Sequence, residues 1–167
     1  AKWLKEMGLN AYEYSFGRGI RLSTEKAKLY GNEFADCGIS VSVHAPYFIN
    51  FANPNDEIVE KSYNYIIESC KMAKLMGGNR VVVHTGTNGK LSREDALNLC
   101  KARLKILEQK LNYEGLSDCL ICLETMGKYS QIGDYNEIID LCSISKMYIP
   151  TFDFGHLNCL MQGKLKE

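Results

Sequence analysis

The chain contains three histidines, His44, His84 and His156, and each lies where an apolar run ends. Val41-Ser42-Val43 leads into His44, and Val81-Val82-Val83 leads into His84. Ile149-Pro150-Thr151-Phe152 leads into Asp153 and then His156, and Leu120-Ile121-Cys122-Leu123 leads into Glu124. Imidazoles and carboxylates together suit zinc, and also manganese or iron. None of the five residues is a cysteine, which argues against a closed structural zinc site. A carboxylate between histidine pairs can bridge two metals, and paired metals clamp the attacking and leaving oxygens of a phosphodiester. A lone histidine after a strand is ordinarily a surface or hydrogen-bonded residue. A lone carboxylate there is often a helix cap. Five such residues at successive strand ends point instead to one shared site.

The spacing adds geometry. His44 to His84 is 40 residues, His84 to Glu124 is 40, and Glu124 to Asp153 is 29. Each step is one βα unit. Parallel strands all point the same way, so corresponding strand ends share one face of the sheet. In a βα barrel that face is the C-terminal mouth, where active sites lie.

The elements that must position these residues follow from periodicity and punctuation. Lys2 to Met7 reads as the end of a helix closed by Gly8, and Asn10 to Phe16 as a strand. Ser23 caps a helix that runs to Cys37 and stops at Gly38. Ile39 to Val43 is a short strand. Asp56 to Met76 is helical, with Val59, Tyr63, Ile66, Cys70 and Ala73 recurring at helical spacing. Arg80 to Val83 is a β-branched strand of the kind buried on both faces. Ser92 begins the next helix, with Asp95 placed close to a capping box. Its stripe is Leu97, Cys100, Leu104, Leu107 and Leu111. Asp118 to Leu123 is a strand, Tyr135 to Ile144 a helix, and Ile149 to Phe152 the last strand. Five strands alternating with helices imply an α/β fold with a parallel sheet and right-handed crossovers.

Composition narrows the class. The length suits one domain over residues 1–167. Twenty basic residues balance twenty acidic ones, so net charge neither supports nor excludes a nucleic-acid partner. No apolar run reaches membrane-spanning length, and no signal-peptide layout is present. Seven cysteines, an odd number spread through apolar segments, read as reduced buried thiols of a cytoplasmic protein. Cys119-x-x-Cys122 falls on a strand, where residues three apart point to opposite faces, so buried thiols are expected there rather than a metal knuckle. Tyr12, Tyr14, Tyr63 and Tyr65 read as core and half-buried packing. Gly17-Arg18-Gly19 is too short to argue for a phosphate loop. Gly86-Thr87-Asn88-Gly89 is not a P-loop, because Lys90 lacks the Walker spacing, and no dinucleotide fingerprint follows the first strand.

Four motifs carry a resemblance. His44-Ala45-Pro46-Tyr47-Phe48-Ile49-Asn50, followed by Asn53-Pro54, closely resembles the H-A-P-Y-L-I-N stretch of endonuclease IV, the zinc-dependent apurinic/apyrimidinic endonuclease family. Val83-His84-Thr85-Gly86 resembles its F-H-P-G, with Thr85 in place of the usual proline. Leu123-Glu124-Thr125 with Gly127, Gln131 and Gly133 resembles its L-E-[TN] region, and Asp153-Phe154-Gly155-His156 resembles its D-T-C-H. Order and spacing agree from about Asn10 onward. The first motif is fairly specific; the others are shared with the wider xylose-isomerase-like superfamily.

The resemblance implies a TIM (β/α)8-type barrel, present here as about five of its parallel strands. The first strand and the last two of such a barrel are expected outside these 167 residues, in a longer gene product. It implies up to three zinc ions, with manganese as the other metal to consider. His44 and His84 would bind one zinc, Glu124 would be the catalytic carboxylate bridging to a second, Asp153 would bind that second ion and His156 a third. Tyr47 and Phe48 would wedge into DNA, with Arg18 a further DNA-binding residue. The implied activity is phosphodiester hydrolysis 5′ to abasic sites in double-stranded DNA during base excision repair, by a monomer with no membrane association. The competing reading is a sugar isomerase or epimerase on the same barrel, with a glutamate as general base. A third reading is a non-catalytic relic that keeps the barrel but not the full ligand set.

Overall fold

The computed structural model describes residues 1–165. The elements in chain order are α1 (Lys2–Glu6), β1 (Ala11–Ser15), α2 (Thr24–Cys37), β2 (Ser40–His44), α3 (Asp56–Leu75), β3 (Arg80–Val83), α4 (Arg93–Tyr113), β4 (Leu120–Glu124), α5 (Tyr135–Cys142), β5 (Tyr148–Thr151) and α6 (Phe154–Leu160). The five strands pair in sequence order, β1-β2-β3-β4-β5, and every pairing is parallel. This is the arrangement of a βα barrel wall.

Alternation along each strand divides the residues between two faces. Val41 and Val43 of β2, Val81 and Val83 of β3, and Ile121 and Leu123 of β4 are all buried. The register keeps them in line, with Val43 beside Val81 and Val83 beside Leu123. Helix α3 packs on β2 and β3. The opposite face carries Ser42, His44, Cys122 and Glu124, so the polar side chains gather on one side of the wall.

The helical stripes are those the periodicity predicts. Val59, Tyr63, Ile66, Cys70 and Ala73 of α3 are buried, as are Cys100, Leu104, Leu107 and Leu111 of α4. Leu97 is only half-buried, and Ala96 and Arg103 join the buried face instead. Ser23 caps α2 through the Lys26 N–H, and Gly38 ends it in the left-handed conformation. Asn55 caps α3 and Ser92 caps α4.

Some details depart from expectation. His44 and Glu124 are the last residues of their strands rather than the first residues after them. The last strand is Tyr148–Thr151, one residue earlier than Ile149 to Phe152, and Asp153 opens α6, a helix too short to show a periodic stripe. The reciprocal capping box lies at Asp134 and Glu137, not at Ser92 and Asp95. Ser92 does accept from the Asp95 N–H, but Asp95 returns a contact to the Ser92 hydroxyl rather than to its backbone. Tyr12 is 38% exposed, because β1 is the edge of the five strands; its ring stacks on Phe34 at 5.3 Å. Tyr63 is buried, and Tyr14 and Tyr65 are half-buried. Cys119 and Cys122 are free, buried thiols, although β4 begins at Leu120 rather than Asp118, so only Cys122 lies on the strand.

Glu137 also joins α5 to α4. Arg93 grips both of its oxygens, at 2.6 and 2.7 Å, and Gly133 and Asp134 donate backbone N–H groups to it. Burial pushes the Glu137 carboxyl up, but Arg93 and these backbone donors outweigh it and hold it below the usual carboxylate value of 4.5. A carboxyl lowered on folding stabilises the fold above its unfolded pKa, and that contribution is lost as pH falls through the folded value. Glu137→Gln is therefore expected to cost about 1.5–3 kcal/mol near neutral pH. Urea titration should show the deficit shrinking as pH drops below the ordinary carboxylate range. Leu107, fully buried in α4, sets a second test. Leu107→Ala should lower the urea midpoint by the equivalent of ~2–5 kcal/mol, with an unchanged slope.

Candidate metal centre

Glu124 ends β4, the fourth strand of the wall, and is only 7% exposed. Its Oε2 lies 3.1 Å from Nε2 of His44 and 2.8 Å from Nε2 of His84. The two imidazoles meet edge to face, with centroids 4.9 Å apart. His44 ends β2, and His84 follows β3 directly, so three successive strands deliver the three side chains to one point. His44 Nδ1 lies 2.8 Å from the Ala45 carbonyl, which turns Nε2 toward the carboxylate. Such outer contacts orient metal-binding imidazoles generally.

The other oxygen of Glu124 faces a second group. Oε1 lies 3.8 Å from His156 Nδ1, and that nitrogen lies 3.7 Å from Asp153 Oδ2. Asp153 is the N-cap of α6, and its Oδ1 accepts from the His156 N–H at 2.8 Å. Asp153 is thus a helix cap that also presents its second oxygen to the cluster.

Each group offers three ligand atoms within 4.8 Å of one another: His44, His84 and Glu124 in the first, Glu124, Asp153 and His156 in the second. Glu124 belongs to both. The donor set fits a divalent cation such as zinc, since two imidazole nitrogens and a carboxylate match its ligand preferences and no thiol intrudes. Electrostatics agree. Burial opposes the charge of Glu124, but hydrogen bonds from His44 and His84 overcome it and hold the carboxyl down to about 2. Burial likewise opposes protonation of His44, yet Glu124 and the Ala45 carbonyl raise its pKa.

The surrounding loops are tied down by Arg103, which the sequence pattern did not single out, and by Asn50 and Gly86, which stand in its motifs without a role. Arg103 reaches from α4 into the loop after β2, donating to the Phe51 carbonyl at 2.6 Å, to the Asn53 carbonyl, and to Asp56 at 3.2 Å. An arginine inside an apolar helical stripe was the available signal. Asn50 links the same loop to the next one: its Oδ1 accepts from the Thr87 N–H at 3.2 Å and its Nδ2 donates to the Thr87 hydroxyl at 3.3 Å. This approach requires Gly86, where an added Cβ would fall 2.1 Å from Asn50 Oδ1 and φ is +119°.

The structure also places Tyr47, Phe48 and Arg18. Tyr47 and Phe48 lie on the loop after β2, 47% and 42% exposed, with ring centroids 5.6 Å apart. Phe48 leans on Tyr65 of α3 at 5.1 Å. Arg18, in the loop after β1, donates from Nε to the Tyr47 hydroxyl at 2.7 Å. The three candidates therefore form one connected patch on adjacent loops at the C-terminal end of the strands.

A family model described as xylose isomerase-like TIM barrel matches residues 1–166, and the chain belongs to that family. It is 31% identical over 167 residues to an uncharacterized protein of Methanocaldococcus jannaschii, covering 98% of this chain and 58% of that protein. It is 31% identical over 149 residues to a "Probable endonuclease 4" of Mycoplasmoides gallisepticum, covering 83% of this chain and 46% of that protein. Among solved structures, a D-tagatose 3-epimerase-like protein superposes with a TM-score of 0.78 at 22% identity, covering 94% of this chain and 61% of that one. That likeness shows the shared barrel fold. The chain spans about half the length of the curated relatives it matches. Among the described residues, no helix is long and apolar enough to cross a membrane.

Gly86→Ala tests the loop packing that surrounds the centre. The backbone conformation and the contact with Asn50 both resist a side chain, so a loss of at least ~2 kcal/mol in thermal or urea unfolding is expected. A variant as stable as the parent would show that the two loops are not locked together.

Proposed function

We propose that the protein is a metal-dependent phosphodiesterase of the endonuclease IV type, acting on double-stranded DNA at abasic sites. The observation that carries this reading is the division of labour at Glu124: one oxygen turns to two imidazoles, the other to Asp153 and His156. A carboxylate shared in this way would serve as a ligand to both of two neighbouring cations. His44 and His84 would hold one zinc with Glu124, Asp153 would hold a second, and His156 would serve a third. Bound cations supply Lewis-acid polarisation of the phosphodiester and offset the negative charge of its transition state. The chain's own residues do the placing. Glu124 sets the separation of the two sites, and the Ala45 carbonyl fixes which nitrogen His44 presents. Tyr47 and Phe48 offer exposed rings for stacking against an unpaired or unstacked nucleotide. Arg18, held at the Tyr47 hydroxyl, brings a cation beside them for a backbone phosphate. The relative named "Probable endonuclease 4" supports the same substrate class.

A second reading is a sugar epimerase or isomerase, favoured by the likeness to the D-tagatose 3-epimerase-like protein. Glu124 would then be a general base for a proton next to a carbonyl. That task needs a carboxylate oxygen facing substrate; Oε2 contacts both imidazoles, so Oε1 would be the oxygen to serve it. The aromatic pair on the rim favours a wide polymeric substrate over an enclosed sugar.

A duplex oligonucleotide with a single abasic site separates the two readings. The protein carrying this chain should nick it 5′ to the lesion, and EDTA should stop the nicking. Glu124→Gln should lower the rate by more than ~100-fold, beyond the ~10–100-fold typical of changes to residues around a metal. A zinc-loaded protein that leaves the oligonucleotide intact and interconverts ketohexoses would overturn the nuclease reading in favour of the epimerase.

A further inference from the structure

One buried residue outside the ligand set touches both Asp153 and His156. Thr125 follows Glu124 and has no exposed surface. Its hydroxyl accepts from the Asp153 N–H at 2.9 Å and donates toward the Asp153 carbonyl at 3.4 Å. Its own carbonyl lies 2.9 Å from His156 Nδ1. Its N–H donates to the Thr151 carbonyl at 3.0 Å, so the pairing of β4 with β5 fixes the backbone that makes these contacts.

A carbonyl oxygen only accepts. The Thr125 contact therefore demands a proton on His156 Nδ1. In a neutral ring that leaves Nε2 as the nitrogen with a free lone pair, the one able to bind a cation. The nearby carboxylates do not compete for this proton, since Glu124 Oε1 and Asp153 Oδ2 stand 3.8 and 3.7 Å from Nδ1. Gly127 lies close to the same residue: a Cβ added there would fall 3.3 Å from both Cδ2 and Cα of His156. Asp153 is constrained as well. Its Oδ1 is taken by the His156 N–H, so Oδ2 is the oxygen left for a ligand.

We propose that Thr125 is the positioning residue of the Asp153–His156 pair: its hydroxyl anchors Asp153 and its carbonyl fixes His156 in the Nδ1–H tautomer, with Nε2 as the ligating nitrogen. The ligation rests on the metal-centre reading above. The tautomer does not, because it follows from the Thr125 contact alone.

The test has two arms. Long-range proton–nitrogen NMR of the metal-free protein, at a pH where imidazoles are neutral, should show His156 protonated on Nδ1; an unconstrained imidazole favours Nε2. Calorimetric titration with Zn2+ then compares Thr125→Val, which keeps the shape and loses the hydroxyl, with Thr125→Ser, which keeps the hydroxyl. Thr125→Val should weaken Zn2+ binding at Asp153 and His156 by ~10–100-fold and leave the His44–His84 site within about twofold, while Thr125→Ser behaves as the parent. An Nε2–H tautomer overturns the tautomer assignment. Equal weakening of both sites, or of neither, overturns the positioning role. A parent protein that takes up no Zn2+ overturns the metal-centre reading and the affinity half of the proposal with it, and leaves the tautomer to be decided by the NMR arm.

Discussion

A carboxylate taken out of water must be paired, protonated or bound to a cation, because an uncompensated buried charge is among the costliest groups a fold can carry. Glu124 is such a group. It ends β4 with its side chain turned toward neighbouring strand ends, and it stays ionised because two imidazoles arrive at one of its oxygens. The parallel register makes that arrival possible. β2, β3 and β4 run the same way in adjacent positions, so their ends lie on one side of the sheet: His44 is in register with Val82, and Val83, just before His84, is in register with Leu123, just before Glu124. A reversed strand or a one-residue slip would turn His44 or His84 into the helix-facing core.

The loops that leave these strand ends are joined to one another in sequence. The Tyr47 N–H reaches the Gly17 carbonyl, Phe51 reaches Thr85, Ile132 reaches Gly86, and Asp153 reaches the Thr125 hydroxyl. Each βα loop is thereby hydrogen-bonded to the next around the wall. Arg103 and the Arg93–Glu137 pair hold two of these loops from the helix side. Sites built this way keep their ligands placed before anything binds, and pre-placement of donors is where much of catalytic power resides. The same rim carries Tyr47, Phe48 and Arg18, so the surface that would meet a large substrate is coupled to the candidate metal-binding groups through backbone contacts.

Much of this was legible in the residues. The stripe of α3 and the β-branched run of β3 are set by local periodicity, and strand ends followed by His or Glu at regular intervals predicted a shared site before any geometry was known. The unread parts depend on tertiary contacts. Arg103 looks like an interruption of an apolar stripe until the loop carbonyls it caps are seen. Thr125 stands in the sequence only as the residue after Glu124, and nothing local says that its hydroxyl meets a backbone 28 residues away. Asp153 read as a ligand; it is also the N-cap of α6, and its second oxygen is turned to the His156 ring. The exposure of Tyr12 reflects its place on an edge strand, which strand pairing decides rather than the tyrosine itself.

The shared carboxylate is the claim on which the metal centre stands. Anomalous diffraction at the zinc edge, from crystals of the protein equilibrated with Zn2+, tests it directly. Two peaks should flank Glu124, one against His44 and His84 and the other against Asp153, separated by about 3.5–4 Å as in two-metal sites. A single peak, or two peaks of which only one touches Glu124, would contradict it.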